Sequence, residues 1–300
     1  MSDSTQKIIH YLKQGGILLL EILLFAVLVA SVSFVLYSLF GSIITDLNLF
    51  SEGEDELIAR HPFKLLTIIY IPITCILLLC IWLAHSLILG REKAVLGFTK
   101  KGILRNLLFG ATISAVIILI GFLFLFVFRQ IEIINFEWNG TLIIGFLLMF
   151  CVQSFSEEII FRAYLIPTIE KRLGTCAALV ISSIGFMIIH LGNNNFTGLA
   201  CANLILGGVL MGILFIKYRN VWAPTGMHIF WNYLQSTILG FEVSGEKTYS
   251  LIIQKDVGHS VLTGGDFGYE GSILSVIILV VSIIWLTRNF TICNINWSKE

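Results

Sequence analysis

Ionisable side chains inside an apolar segment are the first feature of this sequence with chemical potential. Glu157, Glu158 and Arg162 lie in a run, about 141–166, that is otherwise apolar. A charge at the bilayer centre costs about 2.5–3.5 kcal/mol on insertion scales, so three charges within six residues need a reason. Glu158 and Arg162 are four residues apart, so on a helix they share a face and can neutralise each other. Glu157 is rotated by about 100° and stays available as a general base.

Two further pairs at i, i+4 spacing supply the other groups that such chemistry needs. Phe186 and His190 form one pair, and His228 and Asn232 form the other, each in its own apolar run. A carboxylate and an imidazole can deprotonate a water, and a His–Asn pair can donate two hydrogen bonds to an oxyanion. The set predicts peptide-bond hydrolysis without a serine or cysteine nucleophile. Taken singly, each motif also fits a buried ion cluster, a packed histidine or a polar clamp between helices.

The composition places these motifs in a membrane. The chain has 300 residues, 57% of them hydrophobic and 13% charged, and its mean hydropathy is +0.91. Soluble domains are about 45–50% apolar and about 25% charged. We therefore predict an all-α, polytopic transmembrane bundle that forms one membrane domain over residues 1–300. The net charge of zero argues against a nucleic-acid partner, and the six cysteines, which form no CxxC motif, are expected to be free thiols.

Long apolar runs predict about eight membrane spans. These spans are 16–41, 64–89, 103–128, 141–167, 175–191, 198–216, 222–240 and 271–286. The motifs fall within about 141–240, which is the predicted catalytic core. The N-terminal spans, about 16–128, and the last span, about 271–286, flank that core. Glu21 and His85 lie near span ends, where we expect them to be locally paired or to snorkel.

The distribution of Lys and Arg predicts the orientation. With both termini in the cytoplasm, the cytoplasmic segments hold thirteen basic residues and the opposite segments hold five, which favours this orientation by the positive-inside rule. The cytoplasmic set is Lys7, Lys13, Arg91, Lys93, Lys100, Lys101, Arg105, Lys171, Arg172, Lys217, Arg219, Arg288 and Lys299, and the opposite set is Arg60, Lys64, Arg129, Lys247 and Lys255. We therefore predict an N-in, C-in topology.

In order, the three motifs resemble those of the CAAX-processing and bacteriocin-processing intramembrane glutamic proteases, also called Abi or type II CAAX prenyl endopeptidases. The family pattern is E-E-x-x-x-R, F-x-x-x-H and H-x-x-x-N. The chain matches it with Glu157-Glu158-Ile-Ile-Phe-Arg162, Phe186-Met-Ile-Ile-His190 and His228-Ile-Phe-Trp-Asn232. The flanking segments Arg162-Ala-Tyr-Leu and Trp222-Ala-Pro-Thr-Gly-Met agree as well.

The resemblance implies a role for each motif residue. Glu157 and His190 would activate water, His228 and Asn232 would form the oxyanion hole, and Arg162 would hold Glu158. It implies neither a metal nor another cofactor. The partners would be the lipid bilayer and a membrane-associated peptide or protein substrate. Bacterial relatives are associated with peptide maturation, bacteriocin self-immunity and peptide signalling. We expect an integral protein of a bacterial cell membrane, with its cavity toward the cytoplasm.

Several other functions fit parts of the pattern. A zinc-dependent membrane protease would use Glu and His, but the H-E-x-x-H signature is absent because Leu191 and Gly192 follow His190. A proton-coupled transporter also uses intramembrane Glu and His, although here these groups are confined to one half of the chain. A non-catalytic immunity or adaptor protein that keeps the protease fold is the main alternative. The Gly264–Gly268 segment faintly resembles an aspartyl-protease motif, but we predict a flexible linker there.

The helical rise gives a geometric test of the site. Counted from the adjacent turns, the depths of Glu157 and His228 differ by roughly 10 Å. The two residues reach a common depth if the 168–174 turn projects beyond the membrane and Pro167 kinks the helix. The sequence therefore predicts that Glu157 and His228 approach each other closely.

Overall fold

A computed structural model describes residues 3–46, 60–84 and 96–288, which form a helical bundle with one small sheet. The helices are α1 (Asp3–Asp46), α2 (Pro62–Leu83), α3 (Ile103–Val127), α4 (Gly140–Leu173), α5 (Thr175–Ile188), α6 (Gly198–Tyr218), α7 (Trp222–Tyr233), α8 (Ser260–Thr263) and α9 (Ile273–Thr287). The strands are β1 (Ile131–Phe136) and β2 (Ile252–Asp256). His85, Arg91, Lys93, Cys293 and Lys299, with the end of the second predicted span, lie outside the described residues.

The predicted all-α, polytopic membrane bundle is confirmed. Helices α1 to α4 and α6 are long and apolar enough to cross a membrane. Helices α5 and α9 are also apolar, but they have only 14 and 15 residues, whereas a span of about 30 Å takes about 20. Helix α7 continues as a π-helical turn, Leu234–Ile238. The number of crossings and the side on which the termini lie stay predictions.

Helix α4 is longer than the sequence indicated. It was expected to end near residue 167, but it continues to Leu173 and has 34 residues, about 51 Å at 1.5 Å per residue. Gly174, with φ of 84°, then reverses the chain into α5. Because the bilayer core is about 30 Å thick, α4 must tilt or project beyond it. The expectation that the chain after Pro167 extends past the membrane stays a prediction.

Helices α3 and α7 cross at two glycines. A Cβ atom on Gly110 would lie 1.9 Å from the carbonyl oxygen of Ala223, and one on Gly226 would lie 2.1 Å from that of Leu107. Only glycine permits backbones to approach this closely. The crossing fixes α7, which carries His228, against α3.

The two connections on one side of the bundle are more ordered than the sequence indicated. β1 pairs with β2 in an antiparallel sheet in which Ile131 faces Asp256. Residues 239–272, which we call the strap, contain β2, α8 and two 3-10 turns. In the strap Phe267 and Tyr269 are each only 1% exposed. The prediction of a flexible linker at Gly264–Gly268 is therefore wrong, because these aromatic rings pack into the bundle core.

Two smaller expectations have clear outcomes. Glu21 is locally paired, since it accepts a hydrogen bond of 2.9 Å from Nε of Arg172 and so joins α1 to α4. Among the described cysteines, Cys75, Cys80, Cys151 and Cys201 are free thiols, as expected. Cys176, near the start of α5, departs from this expectation because it is disulfide-bonded.

Candidate active site

A change of helical register begins at the two adjacent carboxylates. Glu157 and Glu158 end the regular part of α4, and Ile159–Leu165 continues it as a π-helix. Pro167 follows this turn closely. Proline lacks the N–H of a regular helix and clashes with the carbonyl four residues back, so a wider turn before it relieves both problems. The sequence thus places an irregular turn directly after the two glutamates.

Glu158 is held from two sides in the bundle core. Its Oε1 lies 2.9 Å from Nη1 of Arg162, as the i, i+4 spacing predicted, and 2.9 Å from Nδ1 of His228. Glu158 and Arg162 are fully buried, and Nη2 of Arg162 also donates to the carbonyl of Gly208 at 3.3 Å. An ionised carboxylate only accepts hydrogen bonds, so Nδ1 of His228 carries the proton. The contact fixes the tautomer and leaves Nε2 facing away from Glu158.

The ring of Phe186 contacts the imidazoles of His190 and His228 and the guanidinium of Arg162. Its centroid is 4.9 Å from that of His190 and 5.7 Å from that of His228. The guanidinium carbon of Arg162 lies 4.7 Å from the same centroid, within the range of a cation–π contact. Phe186 therefore positions both imidazoles and helps to accommodate the buried cation, a supporting role.

Glu157 has the more open of the two carboxylates. Its Oε2 lies 3.9 Å from Nε2 of His228, and this oxygen has no hydrogen-bond partner within the described ranges. The predicted approach of Glu157 and His228 is therefore observed, and the two residues share a depth. The expected difference between the two glutamates also appears in the geometry, since Glu158 forms an ion pair with Arg162 and Glu157 does not.

His190 and Asn232 each present an unused polar group. Nδ1 of His190 lies 2.8 Å from the carbonyl oxygen of Phe186. Because a carbonyl oxygen can only accept a hydrogen bond, Nδ1 carries the proton, and Nε2 has a lone pair free for a water. Asn232 is 5% exposed. In the part of the chain that the structure describes, its side-chain amide makes no hydrogen bond. Asn232 lines the cavity, so its amide can donate a hydrogen bond to a ligand there.

All four predicted catalytic residues line one cavity. Glu157, His190, His228 and Asn232 border a space of 360 Å³ that also contacts α2, α6 and the strap. Sites for small ligands usually span about 300–1,000 Å³, and the cavity lies within this range. The structure brings the residues together, and their catalytic roles stay predictions.

A third carboxylate at the cavity, that of Glu270, was not among the predicted site residues. Glu270, in the strap, is 4% exposed and accepts hydrogen bonds from Trp231 Nε1 at 2.6 Å and from Ser244 N and Oγ at 2.9 and 2.8 Å. It joins the strap to α7 beside Asn232. The signal that could have identified Glu270 is its position, as a charged residue immediately before the last apolar run.

The cavity lies toward one end of the bundle. Asn193, Ser244 and Glu246 line it from the connections that follow α5 and α7. The opposite end, where Arg219 pairs with Glu170 at 2.9 Å, carries the basic connections expected in the cytoplasm. In the described chain, none of those basic connections lines the cavity. The N-in topology and a cavity that opens toward the cytoplasm are therefore two predictions that do not fit together.

A metal centre needs several ligating side chains within reach of one ion. Within residues 3–46, 60–84 and 96–288, no group of three His, Cys, Asp or Glu side chains is arranged to hold a metal ion. In particular, Nδ1 of His228 is already bound to Glu158. The zinc alternative therefore gains no support from a ligand set.

Comparison with known families agrees with the motifs. Residues 138–234 match the family model of Rce1-like proteins, described as type II CAAX prenyl endopeptidase Rce1-like. This segment of the chain therefore matches the CAAX protease family. The matched segment ends just after Asn232 and so includes all three motifs. No curated protein matches the chain significantly.

Proposed function

We propose that this protein is an intramembrane endopeptidase of the CAAX protease family that hydrolyses a peptide bond in a membrane-associated peptide or protein. The observation that carries the proposal is the relation of the two glutamates to His228. Glu158 binds Nδ1 at 2.9 Å, while the unpartnered oxygen of Glu157 lies 3.9 Å from Nε2. One carboxylate orients the imidazole and the other is free to accept a proton.

The reaction begins with a water between Glu157 and the free Nε2 of His190. Glu157 takes a proton from the water as its oxygen bonds to the scissile carbonyl carbon, which produces a tetrahedral oxyanion. The C–N bond then breaks as the proton passes from Glu157 to the leaving nitrogen. The products are a new carboxylic acid and a new amine, and water is the only co-reactant.

His228 and Asn232 act on the oxyanion. The Nδ1 proton of His228 is already donated to Glu158, so the ring can donate to the substrate only from a protonated Nε2. The imidazolium form has two adjacent carboxylates as counter-charges. The Asn232 amide, buried and without a partner among the described residues, supplies the second donor. One oxyanion donor contributes about 2.7–4 kcal/mol to transition-state stabilisation in well-studied proteases.

The proposal is tested with the purified protein in detergent and a peptide library, read by mass spectrometry in ¹⁸O-labelled water. Hydrolysis introduces one ¹⁸O into the new C-terminus. Glu157→Gln should abolish cleavage, whereas Glu132→Gln, at an exposed position on β1, should leave it unchanged. Cleavage by Glu157→Gln at the wild-type rate would overturn the proposed base.

A second set of measurements separates the alternatives. Loss of cleavage on adding a chelator, with recovery on adding zinc, would favour the metalloprotease. Absence of cleavage by the wild type, with cellular function intact after all motif residues are replaced, would favour the non-catalytic immunity or adaptor protein.

A further inference from the structure

The direction of the Asn232 amide depends on the helix that carries it. In the described part of the chain, the backbone carbonyl of Asn232 accepts a hydrogen bond from Ser236, but its side-chain amide makes none. A side chain without a partner points where its backbone aims it. Helix α7 therefore has to be held in the rotation at which position 232 borders the cavity.

The contacts that fix the first part of α7 lie some distance before position 232. They are the crossing with α3 at Gly226 and the hydrogen bond of His228 to Glu158. Two residues after position 232 the regular helix gives way to the π-helical turn Leu234–Ile238, and such turns interrupt the regular hydrogen bonding of a helix. The end of α7 that carries the amide therefore needs an anchor of its own.

Trp231, the residue before Asn232, has such an anchor. Its side chain is largely buried, at 7% exposure, and its Nε1 donates a hydrogen bond of 2.6 Å to Oε1 of Glu270. Successive residues on a helix are rotated by about 100°, so fixing the direction of one side chain also fixes the direction of the next. The contact between Glu270 and Trp231 therefore bears on the direction of Asn232.

Glu270 is itself held in place. Its Oε2 accepts hydrogen bonds from N and Oγ of Ser244 at 2.9 and 2.8 Å. Its neighbour Tyr269 is 1% exposed and packs so closely on α3 that a Cβ on Gly121 would lie 2.1 Å from the tyrosine hydroxyl. Glu270 therefore offers Trp231 an acceptor whose place is set by the strap and by α3.

Ser244 extends the network to the other half of the site. Its φ of 51° is an uncommon conformation for a residue with a Cβ, and such conformations persist where surrounding contacts hold them. Its carbonyl accepts a hydrogen bond of 3.0 Å from Nδ2 of Asn193, and the backbone N of Asn193 donates to the carbonyl of His190 at 3.1 Å. Hydrogen bonds through Glu270 and Ser244 thus connect α7 with the turn that follows His190.

We infer that Glu270 is a positioning residue, which holds the end of α7 in the rotation that aims the Asn232 amide at the substrate carbonyl. The inference rests on the proposed function, because it takes Asn232 as an oxyanion donor. Glu270 itself exchanges no proton with the reacting atoms. An interaction that is made only in the transition state affects kcat and kcat/KM equally, so loss of Glu270 should lower kcat and leave KM unchanged.

Glu270→Gln tests the inference with the purified full-length protein in detergent and a peptide that the wild type cleaves. The glutamine keeps one acceptor for Trp231 but turns its NH₂ group toward the backbone N–H of Ser244, so the network opens. We expect kcat to fall about tenfold, a part of the roughly 10²–10³-fold loss that follows removal of an oxyanion donor. Glu132→Gln, at an exposed position on β1, should leave kcat unchanged.

A double-mutant comparison separates positioning of the amide from a general structural role. In an Asn232→Ala background the amide that Glu270 positions is gone, so adding Glu270→Gln should lower kcat by less than about twofold. The same fold-loss of kcat in both backgrounds would overturn the inference. That outcome would leave the proposed hydrolysis intact, since the latter depends on cleavage by the wild type and its loss in Glu157→Gln.

Trp231→Phe is the second variant, and it decides the question if Glu270→Gln does not fold. It removes the Nε1 donor while Glu270 stays in place, so it should reproduce the fall in kcat. Thermal unfolding in detergent establishes that each variant is folded at the assay temperature. A Trp231→Phe protein with the wild-type kcat would contradict the inference.

The Asn232 side chain also gives a readout that needs no cleavage. In protein labelled with ¹⁵N-asparagine, the side-chain amide signals of Asn232 are those that disappear in Asn232→Ala. Glu270→Gln should shift or broaden these signals, whereas those of Asn106, near the start of α3, should stay in place. Unchanged Asn232 signals would overturn the inference even if kcat falls.

Discussion

The Oε1 atom of Glu158 lies 2.9 Å from Nδ1 of His228, which belongs to a helix seventy residues further along the chain. The same oxygen lies 2.9 Å from Nη1 of Arg162. One buried carboxylate therefore both neutralises a cation and orients an imidazole. Glu157, its neighbour in sequence, is bound to neither, and this difference leads to separate expectations for the two glutamates.

Glu158→Gln should destabilise the protein strongly. It leaves the buried Arg162 without its counter-ion, and removing one partner of a buried pair costs about 3–5 kcal/mol. Glu157→Gln should change stability little while it abolishes cleavage, because Glu157 has no ion pair to Arg162. Thermal unfolding in detergent checks the pair of variants, and equal losses of stability would refute the division of roles.

Phe186→Leu should lower the stability of the fold by more than the loss of buried ring area alone explains. The ring faces Arg162 at 4.7 Å and contacts both histidines, and a desolvated cation–π contact contributes up to about 2 kcal/mol. Phe146→Leu is the matched control, because Phe146 is a buried phenylalanine too but belongs to a different cluster. Comparison of the two unfolding temperatures and of kcat tests the expectation. A smaller effect at Phe186 on both measures would contradict it.

Spacing within one helix was enough to predict part of the site. Glu158 and Arg162 pair because four residues bring side chains onto one helical face, and Phe186 and His190 meet for the same reason. The polytopic helical class followed from composition. These features depend on local geometry and hydropathy, which a sequence displays directly.

Contacts between distant segments of the chain could not be predicted from residue spacing in the same way. The hydrogen bond between Glu158 and His228 depends on how α4 and α7 are packed. Helix α7 is itself held against α3 by close backbone contacts at Gly110 and Gly226. The strap was treated as a linker because its glycines and charges are typical of loops. Its order comes from tertiary contacts, among them the hydrogen bonds of Glu270, which no periodic pattern indicates.

Gly110→Ala should disrupt the crossing of α3 and α7. The new Cβ would lie 1.9 Å from a backbone oxygen, which cannot move aside as a flexible side chain can. Overpacking costs about 1–3 kcal/mol or more, and a shift of α7 would displace His228, so both stability and kcat should fall. Gly16→Ala is the control, because no atom lies within 4 Å of its Cβ, and there alanine should be neutral or stabilising by up to about 1 kcal/mol. Equal effects at both glycines would contradict the role of the crossing.

The strap should be more stable at mildly acidic pH than at neutral pH. Burial raises the pKa of Asp256 and Glu242 above the ordinary values of about 3.9 and 4.3. The folded state therefore holds protons more tightly than the unfolded state. Their contribution to stability is complete below the ordinary values and is lost as pH rises through the raised ones.

Asp256→Asn removes one of these groups and tests the assignment. The variant should unfold at a higher temperature than the wild type at pH 7, and the two should converge as the pH falls toward 4. Glu132→Gln, at an exposed position on the neighbouring strand, should follow the wild type. A lower unfolding temperature for Asp256→Asn at pH 7 would show that the hydrogen bond of Asp256 to Thr263 outweighs the cost of burying the charge.

The cavity should face away from the cytoplasm. The basic connections lie at the opposite end of the bundle, and the positive-inside rule assigns that end to the cytoplasm. Thr248→Cys, on the cavity lining, and Lys100→Cys, at the basic end, report the two sides when each is placed in a background without native cysteines. A membrane-impermeant maleimide should label Thr248→Cys in intact cells and Lys100→Cys only after lysis. The reverse pattern would place the disulfide-bonded Cys176 in an oxidising compartment, where such bonds persist, and would restore a cavity open to the cytoplasm.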